Sequence, residues 1–225
     1  MRILFFTLSC GLLLNTSFAE QPIAQKGELL FSDDFERNEL GENWKIIIPA
    51  FEIKEGALFG LQARDDHGSV GRVYVPMKDL VAEFRFNLAG SKTFNVVFDD
   101  KNHKGSHAGH ICRVAVTPTQ VRLGDDKEGI MRNDIFEMRR DPNLKAKADE
   151  MIKGRGTTVK TTVELDQWHS MKIEIVGDLM QVSLNDVILG QLKSPGIAHL
   201  TKESLHFTVN GTGVLFDDLM IWKAQ

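Results

Sequence analysis

An all-β chain folded as a two-sheet antiparallel sandwich or a barrel, with a short helical insertion around residues 131–154, is what this sequence predicts. Three observations lead there. Short apolar segments recur with period two, most clearly over residues 80–88, where Ala82, Phe84, Phe86 and Leu88 alternate with Val81, Glu83, Arg85 and Asn87. Gly, Asn and Asp punctuate these segments at short intervals, the residues that turns require. Helical periodicity is confined to one stretch, so the remainder has to build layers of sheet.

Taken in order, residues 29–31 and 45–48 are apolar and flank the polar turn that follows Asp33-Asp34-Phe35. Residues 51–53 and 57–61 surround Lys54-Glu55-Gly56, a tight turn with glycine at the position that takes positive φ, which makes a hairpin. A strand over 70–75 stops at Pro76. Strands are expected at 80–88, 94–99, 111–116 and 121–123, the last two joined through Thr117-Pro118-Thr119. Asp141-Pro142 then reads as an N-cap followed by proline at the first helical position. Leu144, Ala148, Met151 and Ile152 recur at helical spacing, and Gly154 supplies the stop, so a helix is expected over 142–153 with a shorter one around 133–139. This insertion reads either as a flap on an edge of the sheets or as a lid over the loop before it. Strands resume at 158–165, 171–176, 180–184, 187–192, 204–210 and 214–222, with Gly211-Thr212-Gly213 as the last turn.

The first residues carry one charge, Arg2, then an apolar run and Ser17-Phe18-Ala19, the pattern of a secretory leader cleaved after Ala19. The run is shorter than the roughly 20 apolar residues a membrane span needs, and too few apolar residues precede Cys10 for a lipoprotein signal. A secreted or periplasmic protein with one domain over residues 20–225 is expected. Past the leader Cys112 is the sole cysteine, so no disulfide within the chain can help, and burial has to hold the fold. The formal charge of −4 and the lack of a basic stripe argue against nucleic acid as a partner.

Three phrases resemble one family. Phe51–Gly60 (FEIKEGALFG), the Trp168–Asn185 segment (WHSMKIEIVGDLMQVSLN) and Phe216–Trp222 (FDDLMIW) are similar to two hairpins and the closing strand of concanavalin A-like jelly rolls. The likeness is nearest to the secreted 3-keto-disaccharide hydrolase-like domains, loosely labelled family-16 glycoside hydrolases. It implies two curved antiparallel sheets, a carbohydrate ligand, and hydrolysis of a 3-keto-disaccharide or another glycoside; a non-catalytic, lectin-like module of the cell envelope is the alternative. The E-x-D-x-x-E strand of family-16 laminarinases is absent. Asn95 stands where the keto-disaccharide set has the Asn of N-S-G-x-x-x-R, but Asp99 stands near its Arg and Arg113 near a Glu of the following strand.

The richest chemistry lies between residues 94 and 116. His103, His107 and His110 form H-x3-H-x2-H in a loop, with Asp99 and Asp100 beside them, a donor set that could hold Zn²⁺. A solvated polar turn is the other reading. Arg64–Gly68 and Asp125-Asp126 are acidic loops of a kind that can bind Ca²⁺, although neither has defined ligand spacing. If strands at 80–88, 94–99 and 111–116 lie side by side, Glu83, Arg85, Asn87, Asn95, Asp99 and Arg113 share one polar face. Such a mixture of donors and acceptors suits sugar hydroxyls; an ordinary solvent face is equally consistent with it. The expected roles are acid/base chemistry for Asp99 or Glu83, assisted by His107, and substrate binding for Arg85, Asn87, Asn95 and Arg113. The expected metal set is His103, His107, His110 and Asp100. Tyr74 and Trp222 could stack on a sugar ring, whereas Trp44 and Trp168 are expected to seal the core.

Overall fold

The computed structural model describes residues 21–225; the leader expectation concerns residues outside that range. Among the described residues fifteen strands form two antiparallel sheets. One sheet runs in the order β13 (Val187–Lys193), β12 (Leu179–Leu184), β11 (Trp168–Val176), β6 (Leu80–Asn87), β15 (Val214–Ala224), β4 (Ala57–Gly60), β3 (Phe51–Lys54), and β1 (Lys26–Asp33) also pairs with β15. The other runs β10 (Gly156–Lys160), β9 (Gln120–Asp125), β8 (His110–Thr117), β7 (Thr93–Asp99), β14 (Lys202–Asn210), β5 (Ser69–Met77), β2 (Trp44–Ile48). The jelly-roll sandwich is therefore the architecture. No helix among the described residues is long and apolar enough to cross a membrane.

Alternation along the strands builds the space between the sheets. Phe84, Phe86 and Phe216 point in from the first sheet, Phe94 and Phe207 from the second, and all five are buried. Phe207 and Phe216 stack with centroids 3.9 Å apart and planes 10° from parallel, which ties one sheet to the other at the centre of the core. Cys112 lies in this core, where burial pushes its thiol up to about 12. Its side chain is packing, not a nucleophile. Trp44 is buried, but Trp168 is 38% exposed, contrary to expectation, and lies beneath the Arg85 guanidinium at 4.8 Å.

The insertion holds two helices, α1 (Asn133–Arg140) and α2 (Pro142–Met151), and the Asp141 side chain caps the second by accepting from the Asn143 N–H at 2.8 Å. Ile135 and Ala148 are the buried contacts of the pair. Residues 156–160 form the strand expected at 158–165; the chain beyond Lys160 leaves the sheet, its amides held instead by Thr119 and Pro118 carbonyls.

The expected side-by-side placement of residues 80–88 and 94–99 does not occur. β6 is flanked by β11 and β15, and β7 by β14 and β8. The short connection through Gly90, at φ +85°, carries the chain from one sheet to the other. Consecutive strands pair in many folds, but in a two-sheet sandwich a connection can equally cross the core. Glu83, Arg85 and Asn87 consequently sit on a different sheet from Asn95, Asp99 and Arg113.

Candidate functional site

On the second sheet the core claims Phe94, Val96 and Phe98 of β7, so Asn95 and Asp99 face outward. A bulge shifts the register between Phe98 and Asp99, putting Cys112 opposite Phe98 and His110 opposite Asp99. Both Ile111 and Cys112 are thereby buried, while His110 and Arg113 turn to the outer face with Asp99. On the other side, β14 places His206 beside Val97, and β5 places Arg72 beside His206. Four neighbouring strands thus contribute one row: Arg72, His206, Asp99, His110.

Asp99 is the hub. Its Oδ2 accepts from Arg72 Nη2 and His206 Nδ1, both at 2.7 Å, and its Oδ1 accepts from His110 Nδ1 at 2.5 Å. Burial alone would raise the Asp99 pKa. The hydrogen bonds from His110 and His206, with their positive charge, outweigh burial and hold the carboxyl well below the usual carboxylate range. His206 is almost wholly enclosed, and burial lowers its pKa despite Asp99. Each ring meets the carboxylate through Nδ1. A neutral ring must therefore carry its proton there and leave Nε2 as a lone pair. Neither Nε2 makes a hydrogen bond to another described residue.

A second acid lies one strand further along. The Asp126 N–H donates to the Ile111 carbonyl at 2.9 Å, fixing the residue beside β8, and its Oδ2 accepts from Arg113 Nε at 2.5 Å. Asp126 is completely buried, which pushes its carboxyl up; Arg113 opposes this and Asp99 adds to it. Asp126 Oδ1 and Arg113 Nη2 are buried without partners among the described residues. Two carboxyls whose surroundings drive them in opposite directions are the arrangement acid–base chemistry uses. Their backbones lie two strand spacings apart, about 10 Å. Arg113 and Asp126, with Asn95, enter the wall of a cleft of about 570 Å³ between this face and the helical pair.

Of the loop histidines, His103 leaves the cluster, whereas the His107 ring stays 6.2 Å from that of His110. His103 packs edge-on against His199 at 5.0 Å, and His107 stacks on Phe136 of α1 at 4.1 Å. Asp100 accepts from Thr201 Oγ1 at 2.5 Å, His199 Nε2 at 3.0 Å and the Asn102 N–H at 2.8 Å, and those bonds overcome burial to lower its pKa to about 2. Asp100 is a loop anchor. Of the four ligands expected for a metal, only His110 reaches the cluster. The group that could hold an ion is Asp99, His110 and His206, whose donor atoms lie within 4.8 Å of one another. That donor set suits a first-row metal, but the Arg72 guanidinium, 2.7 Å from Asp99 and 3.3 Å from His206 Nδ1, already supplies the positive charge there. The residues fit proton transfer better than metal binding.

The acidic loops are likewise closed on themselves. Asp125 accepts from Ser194 Oγ and from the Gly196 and Glu128 amides, and Asp66 from Arg64. On the first sheet Glu83 accepts from Lys26 at 2.7 Å, while Arg85 lies 3.5 Å from both Asp217 and Asp218. Asn87 is nearly buried, with its Oδ1 unpartnered among the described residues. These three belong to the opposite face of the sandwich from Asp99. The insertion lies against the outer face of the seven-stranded sheet. It walls the cleft, and it is fastened to the histidine loop by the His107 N–H to Met131 O and Asn133 N–H to Gly105 O bonds at 2.7 and 3.1 Å.

Arg72 and His206 are the site residues that sequence reasoning missed, and Asp126 was named only as part of an acidic loop of a kind that can bind Ca²⁺. His206 stands alone between the inward-facing Leu205 and Phe207, and Arg72 between the buried Gly71 and Val73. That alternation was a usable signal for facing outward, but not for meeting Asp99.

No protein-family model matches the chain. No curated protein matches it. Solved structures do. The laminarinase from Rhodothermus marinus is 12% identical, with 91% of this chain and 100% of that one covered and a TM-score of 0.60. SCLam, a non-specific endo-β-1,3(4)-glucanase from family GH16, is 10% identical over 88% of this chain and 91% of its own, with a TM-score of 0.59. A carbohydrate-binding module from Bacillus subtilis is 11% identical over 80% and 96%, with a TM-score of 0.55. At such identities the likeness is one of fold, and it agrees with the two-sheet jelly roll.

Proposed function

We propose that this chain is an exported carbohydrate-active protein that binds a saccharide on the outer face of the seven-stranded sheet and cleaves a glycosidic bond there by proton transfer. The observation that carries the reading is the buried Asp99 carboxylate gripping two imidazoles by Nδ1, so that each keeps a basic Nε2. In this reading Asp99 orients His110 and His206, one of them takes the proton, and Asp126 is the acid held towards its neutral form. Arg113 and Asn95 contact sugar oxygens. The 3-keto-disaccharides remain the substrate class implied by the family resemblance, since a carbon next to a keto group gives up its proton to a base of near-neutral pKa. Neighbours that hydrolyse or bind carbohydrate support the class, and the leader pattern of residues 1–19 supports export.

The test is sugar release from 3-keto and ordinary disaccharides by the wild type and by Asp99→Asn, His110→Gln and His206→Gln, each first shown to be folded. Release by the wild type, slowed about 10²–10⁴-fold in the variants, is expected from loss of a general base. Equal rates in all four would remove the assignment. The lectin-like alternative is favoured by Tyr74, which is 48% exposed with Arg72 and Lys101 beside its ring, the form of a stacking platform. Saccharide binding without turnover, abolished by Tyr74→Ala, would select it. Export predicts a mature protein that begins at Glu20, which N-terminal sequencing of the secreted product would check.

A further inference from the structure

The cleft beside the Asp99 row is richer in cations than the chain as a whole. Arg113, Arg122, Arg139 and Arg155 all line it, in a protein of formal charge −4. Two of the four are neutralised within the wall: Arg139 pairs with Asp149 of α2, and Arg113 with Asp126. The remaining carboxylate of the wall, Asp125, is spent on Ser194 and two backbone amides. Arg122 has no ion pair or side-chain hydrogen bond among the described residues, and Arg155 has only a long contact, 3.4 Å, to Ser194 Oγ. Two guanidinium groups are therefore left without an ion-pair partner, in a recess that sets four arginines against the three carboxylates Asp125, Asp126 and Asp149.

A second observation points to a ligand. Arg113 Nη2 and Asp126 Oδ1 are buried at the wall of the same cleft with no partner among the described residues, and Asp126 is fully enclosed. Buried polar atoms in folded proteins are nearly always paired, so an unpaired donor and an unpaired carboxyl oxygen on two residues that line one recess point to where an incoming polar molecule completes the bonding. Guanidinium forks match planar, bidentate oxyanions. An Arg113–Asp126 pair with one free donor and one free oxygen suits a hydroxyl, which both donates and accepts.

We infer that this cleft takes an acidic saccharide, a sugar bearing carboxylate or sulfate ester groups, with Arg122 and Arg155 meeting the anion and Arg113 and Asp126 meeting a neighbouring hydroxyl. The inference rests on the carbohydrate reading above and narrows its substrate class. Asp126 does not repel such a ligand as a free carboxylate would, because Arg113 is bound to it and burial favours its neutral form.

The experiment is affinity electrophoresis of the wild type, Arg122→Gln and Arg155→Gln through gels holding polygalacturonate, alginate, a sulfated galactan, neutral galactan, neutral β-glucan or polyglutamate. Retardation by at least one acidic polysaccharide, stronger than by either neutral one and weakened by salt, is expected. Each substitution should lower that affinity about tenfold, the loss of one charge-assisted contact. Pectate or alginate as the retarding polymer would identify carboxylate, and the galactan would identify sulfate ester. Stronger retardation by a neutral polysaccharide, or unchanged affinity in both variants, would overturn the acidic preference and leave the carbohydrate reading standing. Polyglutamate as effective as any saccharide would show charge alone and overturn the inference. Retardation by none would overturn the inference and leave the carbohydrate reading to the disaccharide assay above. Both arginines are at least partly exposed, and melting curves of the variants guard against loss of fold.

Discussion

Replacing Asp99 by Asn tests whether the row across β5, β14, β7 and β8 behaves as one electrostatic unit. Asp99 accepts from three donors, Arg72, His206 and His110, while its own side chain and that of Arg72 are only 2% and 15% exposed, so solvent screens the pair little. Asn keeps the shape but loses the charge, and its amide N–H₂ must face one of the three donors. Breaking a buried pair by removing one partner costs about 3–5 kcal/mol, because the other charge stays behind. For a domain of this size that is a fall in melting temperature of roughly 6–20 °C. Arg72→Met should cost less, about 2 kcal/mol, since both imidazoles still donate to Asp99. In the double variant no guanidinium is stranded, so the combined loss should fall short of the sum by at least about 1.5 kcal/mol. Urea denaturation of all four proteins measures this. Additivity within about 0.5 kcal/mol, or a loss below about 1 kcal/mol for Asp99→Asn, would show that the row is no unit.

Acid should destabilise the protein in two windows. His206 has a folded pKa below its ordinary 6.5, so the unfolded chain binds a proton that the folded chain refuses, and stability is lost as pH falls below 6.5; Asp99 adds a second loss below 3.8. Asp126, whose pKa is raised, works in the opposite sense above 3.8. Melting curves from pH 8 to 4 should therefore be shallower below pH 6.5 for His206→Gln than for the wild type, and parallel curves would contradict the placement of His206. Phe136→Ala removes the ring stacked on His107 and should cost about 1 kcal/mol beyond lost burial, with faster amide exchange over residues 131–140 as the readout. Gly129→Ala would press a Cβ onto the Asp125 carbonyl oxygen, part of the main chain and not free to swing away. A loss of about 1–3 kcal/mol by denaturant titration is expected.

Several features could be read from the chain alone because their causes are local. Alternation of Phe84 and Phe86 with Glu83 and Arg85 settles that residues 80–88 are a half-buried strand and which side chains face in, whatever lies next to it. Asp141-Pro142 sets the start of α2 through a capping bond two residues long, and Lys54-Glu55-Gly56 sets a hairpin through one turn. Asp99 and His110 could likewise be named together, since one loop joins their strands. The strand's neighbours are a different matter. Whether β7 lies beside β6 or beside β14 depends on which pairing buries the most phenylalanine between two sheets, a property of the whole core. Tertiary structure alone therefore decided that Glu83, Arg85 and Asn87 lie across the sandwich from Asp99. It also brought Arg72 and His206, 134 residues apart, to the same carboxylate. Period two assigns a side chain to a face at no cost in long-range information, whereas the partner across the ladder is chosen by packing energy summed over both sheets.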